Sequence, residues 1–382
     1  MSRNCIGKNL VLTSFGESHG PFIGAVLDGF PPNFSLDLHA IQNDMNRRRP
    51  GQSLLTTPRK EDDVVSIISG VFEGKTTGSP IAILIANNDA KPSDYDDLQT
   101  LYRPGHADIL YEKKYGYRDH RGGGRSSARI TAGWVAAGSL AKQWLISGEC
   151  KKNIPIVSSA QPNPRGDKAI AYPICTTAWV KQIHTIICGP LHAIPTTEEI
   201  ESSPVRCPDS TAAKKMENAI VSAQKSGDSL GGIVSCTIEN TPLGLGEPLF
   251  GKLQSVLGQY LLSINAVKGI SFGEGFQAVL MKGSEHNDSW IVKEKNTIGT
   301  LTNHAGGIVG GMATGEPIYI EIAFKPTSSI GIAQKTLNSK LEETPILGKG
   351  RHDPCVLPRA VPIIEAMVNL AIMDLLLEPS YL

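Results

Sequence analysis

The sequence predicts an α+β fold, or a sheet-rich α/β variant, with an internal duplication. Its 39 glycines and 25 prolines separate many short apolar runs, a pattern typical of strands joined by turns and long loops. The helical and strand patterns do not alternate strictly, and no Gly-x-Gly-x-x-Gly sequence follows a strand and opens a helix. These observations argue against a doubly wound nucleotide-binding fold.

The predicted strands are short apolar runs, whereas the predicted helices repeat apolar residues every three or four positions. In chain order, strands are predicted at residues 22–27, 64–71, 80–86, 184–188, 232–238 and 317–323. Helices are predicted at residues 37–47, 127–146, 211–225, 249–264 and 359–377. Glu365, Asn369 and Asp374 interrupt the last helix, so we interpret it as a core or interface helix rather than a membrane span.

Two stretches in opposite halves of the chain resemble each other. Residues 77–86 and 314–323 are identical at seven of ten positions, and residues 14–17 and 271–274 both read Ser-Phe-Gly-Glu. A duplicated unit that packs against its copy explains both matches, whereas the alternative is ordinary turn-and-strand sequence. Because no linker separates the halves, we predict one domain over residues 1–382 with two interlocked repeats.

The composition excludes several classes of protein. Lys and Arg together number 37, as do Asp and Glu, so no overall charge attracts nucleic acid or an anionic membrane. Seven scattered cysteines without a Cys-x-x-Cys pair favour reduced thiols and argue against a zinc site. The first twenty residues do not have a signal-peptide pattern. We therefore expect a cytoplasmic protein without nucleic-acid or membrane partners.

A glycine- and arginine-rich segment precedes the second predicted helix. Residues 121–129 read Arg-Gly-Gly-Gly-Arg-Ser-Ser-Ala-Arg. Glycines allow the backbone to approach a ligand closely, and Ser126 or Ser127 is suited to cap the helix. A helix start favours a phosphate or carboxylate, and Arg125 and Arg129 add positive charge. The alternative is a glycine-rich turn with a solvated basic cluster.

Two histidines lie on glycine-containing turns. His19 occurs in Gly-Glu-Ser-His-Gly-Pro, and His106 occurs in Arg-Pro-Gly-His-Ala-Asp. Because imidazole titrates near neutral pH, we predict that both act as general acids, against the alternative that they are structural. Neither has the spacing of a metal ligand, so we predict no metal site.

A lysine followed by hydroxyl residues lies after the last predicted strand. Lys325 and Pro326 precede Thr327, Ser328 and Ser329. An ammonium group beside three hydroxyls forms a candidate phosphate clamp, and the alternative is a polar turn.

Two further charged segments are candidates for ligand binding. Arg48 and Arg49 belong to an Arg-Arg-Arg run at a predicted helix end, where cations either bind a ligand or interact with the helix dipole. Arg351 and Asp353 lie in Gly-Arg-His-Asp-Pro-Cys near the C-terminus. Asp353 is a candidate base, or simply a turn carboxylate.

Five of these segments, at residues 16–21, 103–108, 121–129, 325–329 and 350–355, closely resemble the chorismate synthase family in the same order. The resemblance implies anti-1,4 elimination of phosphate from 5-enolpyruvylshikimate-3-phosphate to give chorismate, the last step of the shikimate pathway. It also implies a requirement for reduced FMN, with NADPH as a candidate reductant. The implied architecture is a β-α-β sandwich with internal duplication, assembled as a homotetramer.

The resemblance also implies roles for individual residues. His19 and His106 would donate protons, and Asp353 would help to accept the ring hydrogen. Substrate contacts would come from Arg48, Arg49, Arg129 and Arg351, with Arg48 also near NADPH. Flavin contacts would come from Arg125, Ser126, Ser127, Asn265, Ala266, Gly310, Lys325, Pro326, Thr327, Ser328, Ser329 and Arg351. We expect these cationic side chains to offset the charges of the substrate and the flavin phosphate.

One position departs from the family pattern. Members often carry a further arginine a few residues after the Arg-Arg-Arg run, but Leu54 lies in that region here, and Arg59 is the candidate substitute. This departure puts NADPH-dependent flavin reduction in question.

Two other classes also fit part of the sequence. A nucleotide- or kinase-type enzyme would use the glycine-rich loop but should show a Walker lysine or a magnesium carboxylate pair. An RNA-binding module predicts net positive charge and interleaved aromatic residues, yet aromatic residues are only 6% of the chain.

Overall fold

The structure is a computed structural model that describes residues 4–53, 55–57, 59, 61–89, 92–148, 173–293, 297–348 and 353–378. Two five-stranded antiparallel sheets enclose a layer of helices. The elements of the first half are β1 (Cys5–Ile6), β2 (Val11–Gly16), β3 (Phe22–Asp28), α1 (Leu38–Arg48), β4 (Val65–Ser69), β5 (Val71–Phe72), β6 (Lys75–Thr76), β7 (Ile81–Ala86), α2 (Asp108–Tyr115) and α3 (Thr131–Ser147).

The second half contributes the other large sheet and the C-terminal helix. Its elements are β8 (Cys175–Ile183), β9 (Ile186–Ile187), α4 (Thr197–Glu201), α5 (Ser210–Lys225), β10 (Gly232–Glu239), α6 (Leu253–Leu262), β11 (Val267–Phe272), α7 (Gly283–His286), β12 (Trp290–Val292), β13 (Ile298–Thr300), β14 (Ile308–Val309), β15 (Met312–Ala313), β16 (Ile318–Phe324), β17 (Gln334–Leu337), β18 (Glu343–Ile346) and α8 (Leu357–Leu376).

The order of strands in the two sheets confirms the internal duplication. The first sheet runs β1-β2-β3-β7-β4 and the second runs β11-β16-β10-β8-β9. Strands β2, β3, β4 and β7 therefore occupy the same positions as β8, β10, β11 and β16. In the same order along the chain, α1 corresponds to α6, and α3 corresponds to α8. These two last helices pack against each other between the sheets.

One of the two sequence matches reflects this duplication. Residues 77–86 and 314–323 contain β7 and β16, which are equivalent central strands. The match between residues 14–17 and 271–274 does not, because β2 pairs with β3 whereas β11 pairs with β16 at the equivalent of β4. The shared Ser-Phe-Gly-Glu sequence is therefore not a feature of the repeat.

Apolar alternation explains the equivalent central strands. Ile81, Ile83 and Ile85 are fully buried along β7, and Ile318 and Ile322 are fully buried along β16. A period of two places one face of each strand against the helical layer. Most buried apolar side chains of both halves form one large cluster, and Tyr95, Leu98 and Ile346 form a small second one.

Helix α3 occupies most of the predicted span 127–146 and is buried on nearly all sides. All residues from Thr131 to Ala141 are buried, because α3 lies between its own sheet and α8. Small residues allow this approach: a Cβ on Gly133 would lie 3.0 Å from the Gly24 backbone, and one on Gly138 would lie 2.4 Å from the Ala366 side chain.

Most predicted elements are confirmed with small shifts of their ends. Helix α1 begins one residue late because the Asp37 carboxylate accepts hydrogen bonds from two N–H groups and caps the helix. Helix α6 begins at Leu253 rather than residue 249.

The prediction at residues 184–188 is wrong: only Ile186–Ile187 pairs there, and the long strand Cys175–Ile183 precedes it. Polar residues on that strand hide its apolar alternation. Strands β2 and β11 and helix α2 were not predicted.

Among the described residues, no helix has both the length and the apolar character needed to cross a bilayer.

Candidate active site

A cavity of about 500 Å³ lies where equivalent points of the two repeats meet. The N-terminal ends of α3 and α8 both reach it, at residues 126–131 and 356–363. Residues 264–266, which follow α6, and residues 50 and 57, which follow α1, form further parts of its wall. The segment after β16 and the turn at residues 103–107 complete it.

The cavity collects most of the predicted site residues. Those on its wall are His19, His106, Ser126, Ser127, Arg129, Asn265, Ala266, Lys325, Thr327, Ser328, Ser329 and Asp353. The wall does not include Arg48, Arg49, Arg125, Gly310 and Pro326. Arg351 and Leu54 lie outside the described residues.

The imidazole rings of both histidines pack against the glycine run at residues 122–124. Gly122 and Gly123 have φ angles of +61° and +88°, a conformation that favours glycine. A Cβ on Gly122 would lie 2.1 Å from His19 Nδ1, and one on Gly123 would lie 2.8 Å from His106 Cε1. The predicted phosphate loop therefore has an additional function, because its glycines make room for two imidazole rings.

His106 is held by a buried carboxylate. Its Nδ1 lies 2.8 Å from Oδ1 of Asp108, the first residue of α2. Arg103 binds the same carboxylate through Nε at 2.8 Å and Nη2 at 2.9 Å. Burial opposes ionisation of Asp108, but hydrogen bonds from Arg103 and His106 outweigh it and hold the pKa of Asp108 well below its usual value. A permanently ionised Asp108 fixes the proton on Nδ1 and leaves Nε2 for a ligand.

His19 has a less polar setting. Its Nδ1 lies 3.0 Å from the hydroxyl of the fully buried Ser18. The ring of Tyr95 meets the imidazole edge-on, with centroids 4.8 Å apart. These contacts orient the imidazole at the cavity wall.

Lys325 and Ser328 connect the second half of the chain to the His106 turn. Lys325 Nζ donates to Ser328 Oγ at 2.6 Å, and Ser328 Oγ donates to the Gly105 carbonyl at 2.7 Å. Burial, followed by repulsion from Lys268, lowers the pKa of Lys325. In the part of the chain that the structure describes, no carboxylate forms an ion pair with Lys325, so its charge is available to an anion.

The sequence predicts a group of cationic side chains that offset the charges of the ligands. In the structure, several of these arginines are already paired with carboxylates. Arg59 pairs with Glu61, and Arg129 pairs with Asp63. Arg48 is completely buried, and its Nη2 lies 2.6 Å from Asp63 Oδ2. Arg48 does not line the cavity, so its position does not support the predicted contact with substrate or NADPH. Burial, only partly offset by Asp63 and reinforced by Arg359 and Arg129, lowers the pKa of Arg48 to about 10.

Asp353 is also part of an ion pair. Its Oδ2 lies 2.5 Å from Arg359 Nη1, and its Oδ1 accepts a hydrogen bond from Thr57 N at 2.9 Å. Thr327 Oγ1 donates to the Asp353 carbonyl. The carboxylate lies on the cavity wall just before the start of α8, so the Arg359 guanidinium and the carboxylate reach the cavity together.

Arg125 holds the backbone of β2 rather than the cavity wall. Its guanidinium donates to the carbonyls of Gly16 at 3.0 Å and Ser14 at 2.9 Å. The sequence-based assignment to flavin is therefore not supported by its position. Ser127 does cap the turn at Ala128–Ile130, because its side chain accepts a hydrogen bond from Arg129 N.

Several residues of the site were missed or undervalued in the sequence. Arg103, Arg359 and Tyr95 line the cavity, and Glu61 and Asp63 bind its arginines. Only Arg103 lies in a segment that the sequence analysis singled out. Among the described residues, no group of three or more His, Cys, Asp or Glu side chains is arranged to hold a metal ion.

Comparison with known proteins agrees with this arrangement. The sequence profile of the chorismate synthase family matches residues 10–377. The chain belongs to the chorismate synthase family. A protein named chorismate synthase from Christiangramia forsetii is 48% identical over 379 residues, covering 99% of this chain and 98% of that protein. One from Synechocystis is 49% identical over 375 residues, covering 98% and 97%.

A solved structure supports the same family. The structure titled "Crystal Structure of Chorismate Synthase" has a TM-score of 0.70 and 25% sequence identity, and it covers 97% of this chain and 92% of that one. The β-α-β sandwich with internal duplication is thus the fold of a chorismate synthase. The family also favours a carbon-oxygen lyase over the nucleotide- or kinase-type alternative.

Proposed function

We propose that the cavity is the active site for the anti-1,4 elimination of phosphate from 5-enolpyruvylshikimate-3-phosphate, which gives chorismate. The observation that carries this proposal is the meeting of His19, His106 and Lys325 in one cavity of a chorismate synthase family chain. In the reaction the allylic C–O bond to phosphate breaks, a ring hydrogen leaves, and a second ring double bond forms. The protein must therefore bind anions, donate protons and accept one hydrogen.

The anion-binding groups come from both repeats. Lys325 and Ser328 provide an ammonium and a hydroxyl without a carboxylate partner among the described residues. Arg129 and Arg59 add guanidinium groups to the opposite wall. Charge-assisted hydrogen bonds to phosphate and carboxylate oxygens are stronger than neutral ones, so these groups would orient the substrate.

The two histidines are suited to donate protons at different points. His106 Nδ1 is fixed by Asp108, so Nε2 is the atom that would donate to a ligand. His19, held by Ser18, would donate to the leaving phosphate or the cofactor. Asp353, which forms an ion pair with Arg359, would assist removal of the ring hydrogen.

The residues of the cavity also fit a flavin. Asn265 Oδ1 is buried without a hydrogen-bond partner among the described residues, while its Nδ2 donates to the Ser126 carbonyl at 2.9 Å. Such an orphaned acceptor suits a ring N–H of a flavin. Phe324 and Ile264 provide apolar surface, and Lys325 suits the phosphate. When bound, reduced FMN would supply the electron density that eases loss of the allylic phosphate.

We further propose that the active protein is a cytoplasmic homotetramer in which the two repeats form one interlocked domain. The large apolar cluster to which both halves contribute supports one domain. Six cysteines in the described ranges are free, which fits a reducing compartment. Exposed apolar side chains such as Phe250, Phe276 and Val279, each more than 80% exposed, support association with further copies.

An anaerobic assay tests the proposed function. The purified protein is mixed with chemically reduced FMN and 5-enolpyruvylshikimate-3-phosphate, and both chorismate and inorganic phosphate are measured. Equal amounts of both products are expected. Phosphate release without chorismate would instead indicate a phosphatase, and release of neither would contradict the proposal.

A further inference from the structure

Asp63 has an unusual backbone conformation for a buried side chain. Its φ angle is +50°, and only 2% of its surface is exposed. Residues other than glycine rarely adopt this conformation, and they keep it only where the surrounding contacts determine it. The contacts in this case are two guanidinium groups, one on each carboxylate oxygen.

Arg129, the first of these arginines, lies on the cavity wall. Its Nη1 donates to Asp63 Oδ1, its Nε donates to Asn87 Oδ1 at 2.8 Å, and its Nη2 donates to the Ala86 carbonyl at 3.0 Å. Glu61 Oε2 lies 3.8 Å from Arg129 Nη2, beyond hydrogen-bond distance, so part of the guanidinium remains for a ligand in the cavity.

Arg48, the second arginine, lies behind the wall. Its Nη2 donates to Asp63 Oδ2 at 2.6 Å, and its Nη1 contacts the hydroxyl of Thr131 at 3.4 Å. Arg48 is completely buried, but Thr131 lines the cavity. Asp63 therefore joins a cation at the wall to a cation in the interior.

We propose that Asp63 is a positioning residue, which holds the Arg129 guanidinium in the geometry that binds an oxyanion of the substrate. This inference deepens the proposed function and rests on it. Without the carboxylate, Arg48 and Arg129 would repel each other in a buried environment, and Arg129 would leave its place at the wall.

Loss of positioning and loss of negative charge predict opposite changes in the affinity for the anionic substrate. Removing a carboxylate makes the cavity more positive, so electrostatics alone would strengthen the binding of an anionic substrate. Loss of positioning would weaken it, because a displaced guanidinium no longer matches the oxyanion. A purely structural role would lower the unfolding temperature and leave the dissociation constant of the folded protein unchanged.

The test uses Asp63→Asn, because asparagine tolerates the left-handed conformation better than most residues. Binding of 5-enolpyruvylshikimate-3-phosphate is measured by calorimetry in the presence of oxidised FMN. The matched control is Glu201→Gln. Glu201 Oε1 also bridges two arginines, Arg47 Nε at 2.7 Å and Arg206 Nε at 3.0 Å, but it does not line the cavity.

We expect Asp63→Asn to weaken substrate binding by about tenfold or more, and Glu201→Gln to leave it unchanged. In an Arg129→Ala background, Asp63→Asn should have no further effect, since it acts through Arg129. Equal or tighter binding by folded Asp63→Asn, the same loss in Glu201→Gln, or an additive loss in the double variant would overturn the proposal.

Two further measurements keep the test decisive. If Asp63→Asn does not fold, adding Arg48→Met removes the unpaired buried charge. A smaller loss of binding is then expected, because Arg129 still lacks its carboxylate partner but is no longer repelled by Arg48. If the wild-type protein does not bind 5-enolpyruvylshikimate-3-phosphate, the proposed function fails. The role of Asp63 is then decided with inorganic phosphate as the probe, under the same criteria.

Discussion

His19 and His106 pack against the same glycine run but have different partners on Nδ1. Both pack against the glycine run at residues 122–124, but Nδ1 of His106 contacts the Asp108 carboxylate, whereas Nδ1 of His19 contacts the Ser18 hydroxyl. Asp108 is fixed in turn by Arg103, so the imidazole of His106 has a defined orientation. This arrangement of an ion pair behind a histidine is a common means of orienting a proton donor.

Loss of either imidazole tests its role in turnover. We expect His106→Ala and His19→Ala each to lower turnover by about 10²-fold or more, the usual scale for removal of a general acid. Circular dichroism should show a retained fold. Turnover is measured with chemically reduced FMN under anaerobic conditions, and a near-normal rate in either variant would remove that histidine from the mechanism.

Gly122 tests the packing of the His19 imidazole directly. In Gly122→Ala the new methyl group would lie 2.1 Å from His19 Nδ1, so we expect turnover to fall as far as in His19→Ala. Gly116→Ala is the control, because Gly116 has a similar φ of +72° but no atom within 4 Å. That control should cost only about 1 kcal/mol of stability and leave turnover intact. Equal effects of both variants on turnover would contradict the inference that Gly122 makes room for the His19 imidazole.

Asp108 should make the protein sensitive to acid. Its pKa in the folded protein lies below the ordinary value of 3.8, so its ionised form stabilises the fold fully above that pH. This stabilisation is lost as the pH falls below 3.8 toward the folded-state pKa. In urea titrations, the difference in unfolding free energy between wild type and Asp108→Asn should shrink between about pH 4 and pH 2. A constant difference across this range would show that the ion pair contributes nothing.

At the scale of elements, the site forms where loops from both repeats meet at the starts of α3 and α8. The sequence allowed most of these loops to be predicted, because glycine turns, histidines and hydroxyl runs are local signals. The carboxylates were not predicted, because Asp63 is 66 residues from Arg129 in the sequence and only the fold brings them together. The contacts of Arg125 could not be predicted for the same reason: its partners are carbonyls of β2, which carry no sequence signal.

A comparison of two cations tests which loop binds the flavin phosphate. Lys325→Ala should weaken FMN binding by about tenfold to a hundredfold, since one charge-assisted contact to phosphate is lost. Arg125→Ala should change FMN affinity little and lower the unfolding temperature instead, because Arg125 holds the backbone of β2. Both are measured by titration with FMN and by thermal unfolding. Greater loss of FMN affinity in Arg125→Ala would restore the sequence-based assignment.

For the whole molecule, zero net charge conceals a high local density of ion pairs. Among the described residues, five guanidinium groups and four carboxylates lie in or behind the cavity wall: Arg48, Arg59, Arg103, Arg129, Arg359, Glu61, Asp63, Asp108 and Asp353. Most of this positive charge is neutralised before a ligand arrives. Lys325 and a single excess guanidinium remain to attract the anionic substrate.

The reductant that supplies electrons to FMN is tested on the complete enzyme. Leu54 replaces an arginine that family members often carry, and Arg59 is bound to Glu61 at 3.0 Å through Nε. We expect chorismate formation when FMN is reduced by dithionite, but little when NADPH is the only reductant, because leucine cannot pair with a phosphate. Comparable rates with both reductants would contradict this prediction. Loss of the NADPH-dependent rate in Arg59→Ala would then identify Arg59 as the substitute.

The position of the cavity between equivalent points of the two repeats has a consequence for its chemistry. A symmetric dimer of identical half-length chains would present every side chain twice around such a site. In the described residues of the duplicated chain, the histidines on the cavity wall come from the first half, whereas Lys325 and its neighbouring hydroxyls come from the second. Joining the halves in one polypeptide thus freed each copy to diverge, and a site on a pseudo-twofold axis became able to treat the two ends of an asymmetric molecule differently.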